Sequence, residues 1–137
     1  MSPFWYRYED YSTAYHDPWG DDDQRGPSTP CVRERVFYPI RTTPKGVWLV
    51  AVFGSPEDFV RHVMSRTDDK PWDYRKSLHT PPRFVLREAT KRFACPSEEE
   101  ARESFYARKN RQIGIMQARI ASIEGSMAAL KAGRIGG

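Results

Sequence analysis

Cysteine and histidine are scarce in this chain of 137 residues, which has two of the first and three of the second. Cys31 and Cys95 lie far apart with no C-x-x-C spacing, and none of His16, His62 and His79 stands at ligand spacing from either. That argues against a structural zinc site and leaves two ordinary buried thiols as the expectation in a reducing compartment. Long apolar runs are missing too. Nothing approaches the ~18 consecutive apolar residues of a spanning helix, and mean hydropathy is −0.74. The opening Met1-Ser2-Pro3-Phe4-Trp5-Tyr6 lacks the basic-then-apolar order of a signal peptide, so a cytoplasmic protein is expected. No G-x-x-x-x-G-K phosphate loop occurs. His79-Thr80 lacks the second His-x-Thr/Ser of a two-histidine phosphoesterase, because neither His16-Asp17-Pro18 nor His62-Val63-Met64 supplies it. The chain reads as a non-enzyme, with no catalytic residue, metal or cofactor expected.

What is present suffices for a modest core in one domain, 1–137, since 39% of residues are hydrophobic and 13% aromatic. The net charge of +4 is unevenly spread. Residues 1–30 hold six acids against two bases, residues 31–90 eleven bases against seven acids, and residues 91–137 nine against five. A basic body with an acidic N-terminal loop suits a small anionic ligand or another protein better than nucleic acid, which favours a continuous positive surface.

The order of elements predicts an α+β fold, a small antiparallel sheet with a long C-terminal helix and a short inserted helix. Residues 1–95 form the mainly β part and 96–132 the helical part. Phe4–Tyr11 is aromatic-rich and reads as a strand. Residues 16–30 are turn formers and acids, a mobile loop in which Asp21, Asp22 and Asp23 lack the alternation of a calcium loop. Val32, Val36, Tyr38 and Ile40 alternate with Arg33, Arg35 and Arg41, the period of a half-buried strand. Thr43-Pro44-Lys45-Gly46 is a tight turn, and Val47–Phe53 is apolar throughout, a central strand covered on both faces. Ser55 and Pro56 open a helix with Phe59, Val60, Val63 and Met64 on its buried stripe and an end near Thr67. Residues 68–82 read as a polar loop, Arg83–Arg87 as a strand and Arg92–Ala94 as a short one.

Pro96 precedes the capping box of Ser97 and Glu100, from which a helix runs to about Leu130. Ile113, Met116, Ile120, Ile123, Met127 and Leu130 recur at a 3-4-3-4-3 spacing, a heptad seam. Thirty-three helical residues span about 50 Å, against roughly 37 Å for a globule of this length. Either the helix bends at Gly125 into a hairpin or it packs against another copy, which makes a homo-oligomer, dimer or larger, the expected state. Toward its N-terminus the same face turns basic and aromatic, with Arg102, Phe105 and Lys109 on it and Arg108, Gln112 and Arg119 on its shoulder. Guanidinium groups fork onto phosphate oxygens and aromatic rings stack on bases. Alternatively, these long side chains pair with Glu98, Glu99 or Glu103 along the edge of the seam.

The stretches Thr43–Trp48, Arg83–Leu86, Lys91–Ala101, Ser104-Phe105 and Arg108–Ile113 resemble the type 1 Thoeris anti-defence family of phage sponges. The shared pattern is a Pro-Lys-Gly hairpin, a basic strand, a Pro-Ser helix start and a basic C-terminal helix. The resemblance implies a protein of the infected bacterial cell that binds cyclic ADP-ribose isomers made by TIR-domain immune enzymes and withholds them uncleaved. It also implies an antiparallel sheet with C-terminal helices, ligand sites between protomers and, in some members, separate sites for cyclic oligonucleotides. Phe93, Arg92, Phe105, Arg108, Lys109 and Arg119 are the nearest candidates for the aromatic and basic ligand contacts. Cys95 stands where an aromatic is expected, and 54–82 has the look of an insertion. The reading from another class is a protein-interaction module that inhibits a host defence protein by direct docking through the acidic loop or the seam; neither membrane nor nucleic acid is an expected partner.

Overall fold

Strand β1 (Trp5–Thr13) opens a four-stranded antiparallel sheet, followed by β2 (Thr29–Thr42), β3 (Gly46–Ala51) and β4 (Arg83–Leu86) in the order β1-β2-β3-β4. Helix α1 (Pro56–Thr67) and a 3-10 helix (Pro71–Ser77) lie between β3 and β4, and α2 (Glu98–Lys131) closes the chain. The computed structural model describes residues 3–13 and 29–136. The expected acidic loop 16–30 and its Asp21–Asp23 run therefore fall, apart from residues 29 and 30, outside the described residues. The architecture is α+β, and it divides into a unit Met1–Ser104 and a unit Phe105–Gly137. Among the described residues no helix is long and apolar enough to cross a membrane.

The sheet buries both faces where it is widest. On one, Trp5, Phe37, Val47, Leu49 and Val85 form a core with Ala94, and Phe93 packs against it. On the other, Tyr38, Ile40 and Val50 meet Phe59 and Val63 of α1, with Trp48, Trp72 and Tyr74 around them. This is why β3 is apolar at successive positions. The two-sided covering stops at the strand's end: Phe53 is 78% exposed. Val32 is exposed as well, because that half of β2 pairs with Asp10 of β1 and lies beyond both cores. Cys31, on the same stretch, is exposed rather than buried, while Cys95 is buried and both thiols are free. Between Pro39 and Arg41 the ladder with β3 shifts register, a bulge beside a residue with no N–H to contribute.

The turn between β2 and β3 closes through Thr43, whose amide donates to the Gly46 carbonyl at 2.8 Å and whose Oγ1 accepts from the Gly46 amide at 3.2 Å. A Cβ on Gly46 would collide with the Val85 carbonyl oxygen and the Phe84 ring, so β4 can approach only a glycine there. In α1, Phe59, Val63 and Thr67 are buried, with Val60 and Met64 half-buried. Ser55 precedes it but does not cap a backbone amide; its hydroxyl donates to Glu57 at 2.9 Å. The helix ends at Asp68, in the left-handed region at φ 48°.

The stretch 68–82 is not a plain loop. Its 3-10 helix seats Trp72 against Trp48, ring centroids 5.4 Å apart, and Tyr74 against Phe59 at 5.9 Å. Nor is Arg92–Ala94 a strand. Only Cys95 makes an isolated bridge to Tyr6 of β1, through amide-to-carbonyl bonds of 2.7 and 2.9 Å.

Ser97 caps α2 by accepting the Glu100 amide at 3.2 Å, and its own hydroxyl donates to the Glu100 carboxylate at 3.3 Å in place of the reciprocal half of the box. The helix then runs unbroken for 34 residues through Gly114 and Gly125, so the hairpin alternative is not adopted. It stops at Gly133 (φ 71°), where Arg134 N–H reaches back to the Ala129 carbonyl at 2.9 Å, a Schellman-type end.

Candidate functional site

In the β1–β2 register Arg7 faces Arg35 and Glu9 faces Arg33, on the sheet face that carries Trp5 and Phe37. Like charges opposite one another repel. Here a shared carboxylate resolves the repulsion: Glu9 Oε1 accepts from Arg7 Nε at 2.9 Å and from Arg35 Nη1 at 3.2 Å, and Oε2 accepts from Arg33 Nη2 at 3.2 Å. Burial pushes the Glu9 carboxyl up, but the hydrogen bond from Arg7, the charge of Arg35 and the bonds from Arg33 and Arg35 outweigh it, and the group is held below the usual carboxylate value.

The same arginines enclose aromatic rings. Arg7 donates from Nη1 to the Phe93 carbonyl at 2.7 Å and lies 4.4 Å above the Phe93 ring. Arg83, from β4, lies 3.7 Å from that ring's centroid. Phe37 meets Phe93 edge-on at 5.3 Å, and Arg35 covers Phe37 at 5.0 Å. Among the described residues, four guanidinium groups thus gather around two phenylalanines and a single carboxylate, four positive charges against one negative. A cavity of about 220 Å³ opens beside them, lined by Arg35, Phe37, Arg83 and Phe93 together with Leu78, Thr80 and Pro81. Such a place can fork onto phosphate or carboxylate oxygens and present flat faces to a base. A larger concavity of about 430 Å³, at Pro44, Lys45 and Leu86–Ala89, offers two cations and one acid but no aromatic ring. Among the described residues no group of three or more His, Cys, Asp or Glu side chains is arranged to hold a metal ion.

Of the residues expected from the sequence, Phe93 is at the centre of this cluster. Arg92 instead turns to the start of α2, donating to the Arg87 carbonyl at 3.3 Å and lying 3.7 Å from the Glu100 carboxylate. Phe105, Arg108 and Lys109 come together along α2, with Arg108 at 5.8 Å and Lys109 at 5.5 Å over the Phe105 ring and Lys109 donating to Gln112 at 3.4 Å. These are neighbours one helical turn apart. Arg119 is exposed, roughly 16 Å further along the axis than Arg108. Arg7, Glu9, Arg35 and Arg83 join the site without belonging to any local motif. The signal for the first three lies in the period-2 alternation of Trp5, Arg7 and Glu9 against Arg33, Arg35 and Phe37, which puts the charges of two strands on one face once the strands are paired.

Comparisons with protein-family models, with curated proteins and with solved structures return no match for this chain.

Proposed function

We propose that the protein binds and withholds a small anionic cyclic nucleotide, of the cyclic ADP-ribose type, without cleaving it, and that it acts as a phage anti-defence sponge in the infected cell. The observation that carries this reading is the Arg83–Phe93–Arg7 stack beside the cavity, an excess of guanidinium groups on aromatic rings. A ligand with two phosphates needs charge compensation and a flat surface together, and the cluster offers both. Phosphate oxygens accept from Arg83 and Arg35, and the base lies over a guanidinium or ring face. At about 220 Å³ the cavity is below the usual range for whole drug-sized ligands, so it takes one end of such a molecule. The test is to incubate the pure protein with a cyclic ADP-ribose isomer, remove free ligand by filtration, heat the complex and assay what is released. Intact ligand supports a sponge, and degraded ligand makes the protein an enzyme.

A second reading, an interaction module that docks directly on a host defence protein, draws on the exposed apolar side chains of α2, among them Ile120 at 54% and Leu130 at 69%. Absence of nucleotide binding in the same experiment would put it ahead.

A further inference from the structure

Among the described residues the apolar seam of α2 is uncovered. Ile113, Met116, Ile120, Ile123, Met127 and Leu130 are between 49% and 69% exposed. The segment carrying them also contains Gly114 and Gly125, each costing ~1 kcal/mol of helix propensity against alanine. Helices in proteins owe most of their stability to packing of an apolar face, and among the described residues nothing buries this one.

Heptad positions identify the occupant. With Ile113, Ile120 and Met127 at a, the d positions are Met116, Ile123 and Leu130, and both glycines fall outside the seam. Position g then holds Gln112, Arg119 and Ser126, and position e holds Gln117, Glu124 and Lys131. Arg119 and Glu124 have no oppositely charged residue three or four places away on their own helix, and among the described residues neither forms an ion pair. They are five residues apart, the g-to-e′ offset across a parallel coiled coil. A second copy in register sets Arg119 of each chain beside Glu124 of the other, twice by symmetry, and Gln112 beside Gln117. An antiparallel pairing on the same apolar layers sets Arg119 beside Ser126 and Glu124 beside Gln117, leaving both charges without a counterion. β-branched Ile at two of the three a positions, with Met and Leu at two of the three d positions, favours two strands. The six side chains offer about 100 Å² apiece on the transfer scale, roughly 1,200 Å² for two copies, the lower edge of the specific-interface class.

We infer that α2 pairs with a second copy of this chain as a parallel, in-register, two-stranded coiled coil whose alignment is read by Arg119 of each chain against Glu124 of the other. Arg119 thereby gains a role in assembly.

Sedimentation of the full chain at tens of micromolar should show a dimer. Arg119→Glu or Glu124→Arg alone replaces two attractions by two repulsions and should raise the dimer Kd about tenfold, while Arg119→Glu with Glu124→Arg should restore it. In a Cys31→Ser background, Leu130→Cys should oxidise to covalent pairs, since only parallel chains bring the two 130 positions together. The substitutions at 119, 124 and 130 change exposed helix positions, so a native circular dichroism spectrum accompanies each reading. A monomeric wild type, an assembly larger than two, dimers that do not cross-link, or failure of the double reversal to restore Kd each overturns the inference.

Discussion

Arg83 lies 3.7 Å from the centroid of the Phe93 ring, while Arg7 lies 4.4 Å from the same ring on a guanidinium already bonded to Glu9 and to the Phe93 carbonyl. The two cations are therefore unequal. Arg7 is part of the scaffold, fixed by charge-assisted bonds. Arg83 forms no ion pair among the described residues and is exposed, so it is the guanidinium an incoming anion reaches at least cost in broken bonds.

On the proposed function, Arg83→Ala should weaken binding of a cyclic ADP-ribose isomer by about 1.5–3 kcal/mol, the range for hydrogen bonds to charged groups. That is ~10- to 150-fold in affinity. Arg83→Lys should recover only part, because an ammonium keeps the charge and loses the planar fork. Calorimetry measures the series, with thermal melting to confirm that the sheet is intact. Wild-type affinity in Arg83→Ala would remove the cluster from the site.

Arg108→Ala asks whether the helix residues share in binding. In the sheet unit Arg35 and Arg83 line a cavity, whereas Arg108 and Lys109 sit over Phe105 along a helix surface. The loss for Arg108→Ala should therefore be smaller than that for Arg83→Ala in the same titration. The reverse order would move the principal anion contact onto α2.

Local chemistry made much of the fold legible. The Thr43–Gly46 turn, the helix from Pro56 to Thr67 and the capped start of α2 each depend on residues a few places apart. The segment 71–77 was hidden because Trp72 and Tyr74 are anchored by Trp48 and Phe59, far away in sequence, and show no helical period of their own. The site was half visible for the same reason. Phe93 stands out beside a basic run, but Arg7 and Arg83 reach its ring, and Arg35 that of its neighbour Phe37, from three different strands. Their meeting depends on register, which propensity does not encode.

Three glycines should respond oppositely to alanine. At Gly114 and Gly125 an added Cβ meets nothing within 4 Å. Gly114→Ala and Gly125→Ala should each stabilise the helix by about 0.5–1 kcal/mol, seen as a gain in ellipticity and melting temperature. Gly46→Ala should destabilise the sheet by about 1–3 kcal/mol, the usual range for overpacking, because its Cβ would press on β4. Chemical denaturation separates the cases; a neutral Gly46→Ala would mean that β4 shifts to make room.

Glu9 should make stability depend on pH in a definite direction. Its folded carboxyl is held below the usual value by Arg7, Arg35 and Arg33 despite the opposing effect of burial. A depressed carboxylate stabilises the fold fully above its unfolded pKa, about 4.3 for glutamate, and that stabilisation fades as pH falls through the lower folded value. Glu9→Gln keeps the shape but leaves Arg7 facing Arg35 with no carboxylate between them. The substitution should cost about 1–2 kcal/mol at pH 7, a range set between charged hydrogen bonds and exposed ion pairs because the Glu9 side chain is 19% exposed. From pH 7 to about 5 the gap between wild type and variant should stay constant. Below the ordinary carboxylate range it should shrink, as the wild-type carboxyl takes up its proton. Urea denaturation of both proteins from pH 7 down to 3 measures the gap. A gap that holds steady or widens under acid would show that Glu9 is not the anion balancing the arginines.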